Sequence, residues 1–255
     1  MTELTFISYN ITESDYLFKI ILDFLTLQSN TILFLQEVKS NFKIDQKNHN
    51  VIEPPGQNIM SDLRIFASKD LNQMSLECDS YDRYQILKTS EGNFVNVHMP
   101  SSWRTDDDVL INYSRIAREI CENIQFELVG GDMNANPFEK VVFMPSAWFA
   151  KRSVNDFTQE REKGLINPFW KILYIGMDDE AKGSYPGDNK KFSRLQILDQ
   201  FFVSPQKRKN VLVCGIIEEL FGENFNDINK KDDVTSTKGR GKLHFPVFIK
   251  YKLGD

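Results

Sequence analysis

Short apolar runs of β-forming residues recur along nearly the whole chain, and most of them meet a polar side chain at one end. These runs, at residues 4–9, 31–35, 63–67, 84–88, 94–98, 126–129, 197–203, 211–214 and 245–250, read as strands rather than buried helices. Two longer amphipathic segments lie among them. Thr12-Glu13-Ser14-Asp15 offers capping residues for a helix whose inner face would hold Leu17, Ile20, Ile21, Phe24 and Leu25. Asp106-Asp107-Asp108 opens a second helix, with Leu110, Ile111, Ile116, Ile120 and Ile124 as its inward stripe. Acids at that place suit the positive end of the helix dipole and need no catalytic explanation. Residues 40–60, broken by Pro54-Pro55-Gly56, read as loop, and residues 136–190 as an irregular stretch with short helices. Strands and helices interleaved in this way predict an α/β chain on mixed sheets, not an all-β sandwich or a purely parallel fold.

The polar residues that end or interrupt these strands are the informative ones, because catalytic groups collect where a rigid sheet presents them. They are Asn10, Glu37, His98, Asp132, Asn134, Asp199 and His244. Taken singly each has a structural explanation: an Asn at a strand end forms turns, and a His beside a strand is commonly a satisfied structural residue. The chain has only 3 histidines, however, and two of them stand at strand ends beside other polar interrupters.

Composition narrows the class. With 255 residues, 41% of them hydrophobic and 26% charged, the chain can bury a large core without disulfides or structural metal. The absence of an internal linker or repeat predicts one domain over residues 1–255. A net charge of −5 argues against a uniformly basic nucleic-acid-coating surface but allows a local basic cleft. Cys78, Cys121 and Cys214 show no zinc spacing and are expected to be buried, reduced thiols. Neither a signal peptide nor a membrane-spanning run is visible, so a cytoplasmic protein without integral membrane association is expected.

Six segments carry a resemblance. They are Ile7-Ser8-Tyr9-Asn10-Ile11, Phe34-Leu35-Gln36-Glu37-Val38, Val97-His98-Met99-Pro100, Gly131-Asp132-Met133-Asn134-Ala135-Asn136-Pro137, Leu198-Asp199-Gln200-Phe201-Phe202-Val203-Ser204 and His244-Phe245-Pro246-Val247. In this order, over nearly the whole chain, they resemble the endonuclease/exonuclease/phosphatase superfamily, with the Gly-Asp-x-Asn element the most specific. The resemblance implies a four-layer α/β/β/α sandwich of two mixed sheets flanked by helices. It also implies a metal-dependent phosphoesterase. Glu37, with Asn10 nearby, would hold Mg2+ or Mn2+ through oxygen ligands. Asp132 would orient or deprotonate the attacking water, and Asn134 would hydrogen-bond the phosphate or the water. His244 would act on the scissile phosphate with Asp199 fixing its tautomer, and His98 would take a secondary role. Two departures stand out: Leu243 occupies the place of an acidic residue that usually precedes the final histidine, and no glutamate partner for His98 is recognisable between residues 40 and 95.

Substrate identity is less legible, since specificity resides in loops around a shared core. The segment Thr237-Lys238-Gly239-Arg240-Gly241-Lys242 leads into His244, and Arg240 and Lys242 there would suit a polyanion. Trp170, Tyr185 and Trp103 are candidates for stacking on a base. The expectation is a phosphodiesterase acting on nucleic acid. The alternatives are a phosphomonoesterase or lipid phosphodiesterase, of phosphoinositide or sphingomyelin type, and a catalytically weakened phosphate-binding module.

Overall fold

Alternation along each strand divides the side chains between two environments. In the first run, Leu4 and Phe6 enter one buried cluster while Ile7 and Tyr9 enter another. The same split recurs in the second run, with Ile32 and Phe34 on one side and Leu33 and Leu35 on the other. A strand buried on both faces lies inside a layered structure, and the computed structural model has that form. It describes residues 2–42, 44, 49–58, 60–153, 164–170, 196–224 and 244–254.

Up to the middle of the chain the elements are β1 (Glu3–Asn10), α1 (Asp15–Thr26), β2 (Thr31–Gln36), β3 (Val51–Ile52), β4 (Arg64–Ser68), β5 (Glu77–Ser80), β6 (Tyr84–Thr89), β7 (Gly92–His98) and α2 (Asp107–Asn123). There follow β8 (Leu128–Asp132), α3 (Lys140–Phe143), β9 (Ala150–Lys151), β10 (Leu165–Ile166), β11 (Asp199–Val203), β12 (Val211–Ile216), the hairpin of β13 (Glu219–Leu220) with β14 (Glu223–Asn224), and β15 (Val247–Lys252). One sheet has the order β12-β15-β1-β2-β4-β3 and the other β5-β6-β7-β8-β11-β10-β9. Phe6, Phe34, Phe94, Phe201, Val247 and Tyr251 fill the space between them. Helix α1 covers the outer face of the first sheet and α2 that of the second. The expected four-layer α/β/β/α sandwich is therefore present.

Both helices start where the sequence predicts. The Ser14 hydroxyl accepts from the Leu17 amide, and Asp106 accepts from the Asp108 and Val109 amides, each satisfying orphan donors of a first turn. The buried faces are rotated from the predicted ones. In α1, Phe18 and Leu22 are buried beside Leu17, Ile21 and Leu25, while Ile20 and Phe24 are only partly covered. In α2 the buried stripe is Tyr113, Ile116, Ala117 and Ile120, and Ile111 is 66% exposed. Tyr113 decides this: its hydroxyl donates to the Met133 carbonyl at 2.8 Å and accepts from Trp148 Nε1 at 3.2 Å, so it turns α2 toward the sheet. Of the three cysteines only Cys78 is fully buried; Cys121 and Cys214 are half-buried. Strands β3 and β5 lie in stretches the sequence did not mark as strand.

The two glycines before Asp132 have a packing reason. A Cβ on Gly130 would fall 2.0 Å from the Phe201 ring, and one on Gly131, at φ +146°, would fall 2.0 Å from the Val97 carbonyl oxygen. Glycine lets β8 run between β7 and β11 at this point. No described helix is long and apolar enough to cross a membrane.

Candidate active site

The face that packs between the sheets is apolar for most of its length and polar at one end. Continuing the alternation of Leu4 and Phe6 along β1 leads to Ser8 and Asn10, and that of Ile32 and Phe34 along β2 leads to Gln36. In β7 the same row runs Phe94, Asn96, His98, and in β8 it runs Leu128, Gly130, Asp132. Strand pairing then sets these ends side by side: His98 is opposite Asp132, and Asp132 is opposite Asp199.

Strand direction accounts for the rest. Strands β1 and β2 are parallel, as are β7 and β8, so their ends carry Asn10, Glu37, His98 and Asp132. Strands β4, β11 and β15 run antiparallel to these neighbours, so their starts reach the same rim, carrying Asp62, Asp199 and His244. Glu37 follows β2 with φ 52°, a left-handed conformation that breaks the alternation and turns its carboxylate toward Asn10. Thr12 and Glu13 are also left-handed, at φ 49° and 59°, and the Glu13 amide donates to the Glu37 carbonyl at 2.8 Å. Such conformations cost about 1–3 kcal/mol each and persist only where surrounding contacts impose them.

Seven predicted residues, Asn10, Glu37, His98, Asp132, Asn134, Asp199 and His244, lie in this one rim. Asn10 Nδ2 donates to Glu37 Oε1 and to Asp132 Oδ2, both at 3.0 Å. His244 Nδ1 is 2.7 Å from Asp199 Oδ2, and His244 Nε2 is 4.0 Å from Asp132 Oδ2. His98 presents its Nε2 to the same Asp132 oxygen at 4.0 Å and to Glu37 Oε1 at 3.7 Å. Its Nδ1 meets Asp62 Oδ2 at 2.9 Å. Asp62 is the residue the sequence reading missed. The partner sought for His98 as a glutamate is an aspartate, and the available signal was its position immediately before the apolar run at 63–67.

Two side chains sit where expected but face differently. The Oδ1 of Asn10 accepts from the Thr12 amide at 2.9 Å, so toward the carboxylates Asn10 offers donors rather than a metal-ligating oxygen. Asn134, at φ 48°, uses its amide N–H to bind Asp132 Oδ1 at 2.7 Å and its side chain to bind the Met99 carbonyl at 2.7 Å. It thus braces the Asp132 carboxylate. Trp103 is a core residue whose indole N–H donates to the Asn134 carbonyl at 3.0 Å. Trp170 is partly buried, with an indole nitrogen that has no hydrogen-bond partner among the described residues. Tyr185, Arg240, Lys242 and Leu243 lie outside the described residues. The basic run Lys207-Arg208-Lys209 is far from the rim, since Lys207 pairs with Glu127 at the opposite end of β8 at 3.1 Å.

Comparison with solved structures identifies the architecture. The chain matches an AP endonuclease from Archaeoglobus fulgidus at 15% identity with a TM-score of 0.57, over 98% of this chain and 100% of that one. It matches the endonuclease domain of TRAS1, a telomere-specific non-LTR retrotransposon, at 12% identity and 0.52, over 100% of both chains. The chain has the deoxyribonuclease-I-like fold. A 3′ phosphatase with the same fold, NExo from Neisseria bound to product DNA hairpin, matches at 14% identity and 0.53, over 98% of this chain and 99% of that one. No protein-family model and no curated protein matches the sequence.

Within this deoxyribonuclease-I-like frame the electrostatics divide the rim. Burial opposes the charged form of His244, but Asp199, followed by Asp132 and Glu37, overrides it and lifts the pKa from 6.5 to about 9. For His98 burial also opposes the charge, and Asp62, Asp132 and Glu37 raise its pKa despite that. Burial works to raise the pKa of Asp62, but the hydrogen bond and charge of His98, together with Arg83, outweigh it and hold the carboxyl below its ordinary value. One oxygen each of Asp132 and Asp199 and a ring nitrogen of His244 lie within 4.8 Å of one another, a spacing that could hold a metal. That trio suits a proton relay better. Asp199 Oδ2 is taken up by His244 Nδ1 at 2.7 Å, so the carboxylate and the imidazole are already joined as a proton-sharing pair. Oxygen donors for a hard divalent cation are instead offered by Glu37 and Asp132, which flank Asn10.

Proposed function

We propose that the chain is a divalent-metal-dependent phosphoester hydrolase acting on nucleic acid. The observation that carries this reading is the convergence of two imidazoles, each backed through Nδ1 by a carboxylate, on one oxygen of Asp132, with Nε2 at 4.0 Å in both cases. Hydrolysis of a phosphoester needs a positioned water, neutralisation of charge on the phosphoryl oxygens, and a proton for the leaving oxygen.

In this reading Glu37 holds Mg2+ or Mn2+, with Asp132 next to it, and Asn10 aligns the two carboxylates. A bound divalent cation supplies Lewis-acid charge neutralisation. Asp132, braced by Asn134, orients the attacking water and accepts its proton. His244, kept protonated by Asp199, donates to a phosphoryl oxygen, and His98, oriented by Asp62, donates to a phosphoryl or leaving-group oxygen. The DNA substrate class is supported by the fold-mates, an AP endonuclease, the endonuclease domain of a retrotransposon and a 3′ phosphatase bound to product DNA hairpin. No comparable observation favours a lipid substrate. Arg240, Lys242, Tyr185 and Trp170 remain the proposed contacts to the nucleic acid strand.

Incubation with Mg2+ or Mn2+ and a panel of supercoiled plasmid, abasic-site duplex, 3′-phosphorylated hairpin and inositol phosphates tests the proposal. Cleavage is expected on one of the DNA substrates and is expected to disappear with EDTA, Asp132→Ala or His244→Ala. Turnover confined to inositol phosphates would move the substrate class. A folded protein that binds DNA without turning over any of the panel would leave only a binding module.

A further inference from the structure

Three hydrogen-bonded pairs in the rim take one partner from each sheet. Asp62 precedes β4 in the first sheet and binds His98 of the second; His244 precedes β15 in the first and binds Asp199 of the second; Asn10 of the first binds Asp132 of the second. The site therefore exists only while the sheets hold one mutual position. Most of what lies between them is Phe, Ile, Leu and Val, whose packing is non-directional and tolerates small slides.

Directional contacts appear one layer beneath the rim. Asn96 is fully buried on β7, two residues before His98. Its Oδ1 accepts from Gln36 Nε2 at 2.7 Å, and its Nδ2 donates to the Leu35 carbonyl at 3.2 Å and the Arg64 carbonyl at 3.4 Å. Gln36 in turn donates to the Ser8 hydroxyl at 3.2 Å. Leu35 and Arg64 face each other across β2 and β4, so one side chain of the second sheet grips two neighbouring strands of the first. Gln36 is covalently next to Glu37, and Arg64 is two residues beyond Asp62.

The geometry points to Asn96 and Gln36 as positioning residues that fix the first sheet's Glu37 and Asp62 against the second sheet's His98 and Asp132. This rests on the metal-dependent reading of the rim given above. Hydrogen bonds made directly to metal ligands are worth roughly 10–100-fold in metal affinity, and a bridge one step further out is expected to act at the lower end of that range. A buried amide bridge need not add net stability over well-packed apolar side chains, so position and stability are separable here.

The test compares Mn2+ affinity by isothermal titration with thermal unfolding, on the full chain. The apolar pair Gln36→Met with Asn96→Leu keeps volume and removes the bridge. It is expected to melt within a few degrees of wild type and to bind Mn2+ about tenfold more weakly. The exchanged pair Gln36→Asn with Asn96→Gln restores an amide-to-amide contact of the same total length and is expected to recover most of that loss. An apolar pair with wild-type Mn2+ affinity would overturn the positioning role while leaving the metal site intact. If the apolar pair does not fold, Asn96→Ser decides: an unchanged affinity overturns the role and a severalfold loss supports it. A folded wild-type protein that binds no Mn2+ would instead overturn the metal reading itself, and this inference with it.

Discussion

His98–Asp62 and His244–Asp199 are the same two functional groups in two settings. In the first, the side chains are 12% and 40% exposed, and the aspartate sits on a loop before an edge-side strand. In the second they are 7% and 0% exposed, and the aspartate is a ladder residue opposite Asp132. The 2.9 Å and 2.7 Å contacts are alike, so the difference lies in what surrounds them. Water can replace part of Asp62 and cannot reach Asp199. The buried pair is thus suited to holding a fixed charge on the phosphate, and the half-exposed pair to a proton exchanged with solvent.

The largest expected effect probes the buried pair. Asp199→Asn keeps the shape and removes the charge that holds His244 protonated, and kcat/KM is expected to fall roughly a thousandfold. Asp62→Asn should cost about tenfold in the same assay, because solvent can support the imidazole. Equal losses would show that burial does not separate the two pairs.

Stability should divide along the same line in metal-free protein kept in EDTA. His244 has a folded pKa of about 9 against 6.5 for the free side chain, so its contribution is complete below about pH 6.5 and lost as pH rises through 9. The Asp62 carboxyl is held below 3.8, so its contribution is complete above that value and lost as pH falls further. Urea midpoints across pH should therefore show an alkaline limb that Asp199→Asn flattens, and an acid limb that Asp62→Asn flattens while also trimming the part of the alkaline limb that comes from His98. An alkaline limb that Asp199→Asn leaves unchanged, or an acid limb that Asp62→Asn leaves unchanged, breaks the assignment. The smallest change is expected for Asp62→Glu. A loop carboxylate with room around it can absorb one methylene, and activity should stay within about threefold, whereas overpacking at fully buried Asp199→Glu should cost far more.

Much of this site was legible because alternation of period two carries an argument past the last apolar residue. The row Leu4, Phe6 predicts where Ser8 and Asn10 point, and Phe94 predicts Asn96 and His98. Asp62 stands before the first residue of a strand rather than at its end, and β4 is antiparallel to β2. Its start, not its end, reaches the rim, and strand direction is a property of the assembled sheet. Ile111 was misassigned for a related reason: helical spacing allows several apolar stripes, and the hydroxyl contacts of Tyr113 select one. The amide orientations of Asn10 and Asn134 were equally out of reach, since the backbone amides that fix them adopt those positions only through left-handed turns.

The order of residues alone dictated the longer strands, the starts of the two main helices and all but Asp62 of the polar groups at the rim, because these follow from local spacing and side-chain chemistry. Three-dimensional packing settled that Asp62 serves His98, which face of α2 is inside, and that three pairs in the rim join one sheet to the other. Those outcomes depend on contacts between residues 20 to 122 positions apart, which no local pattern encodes.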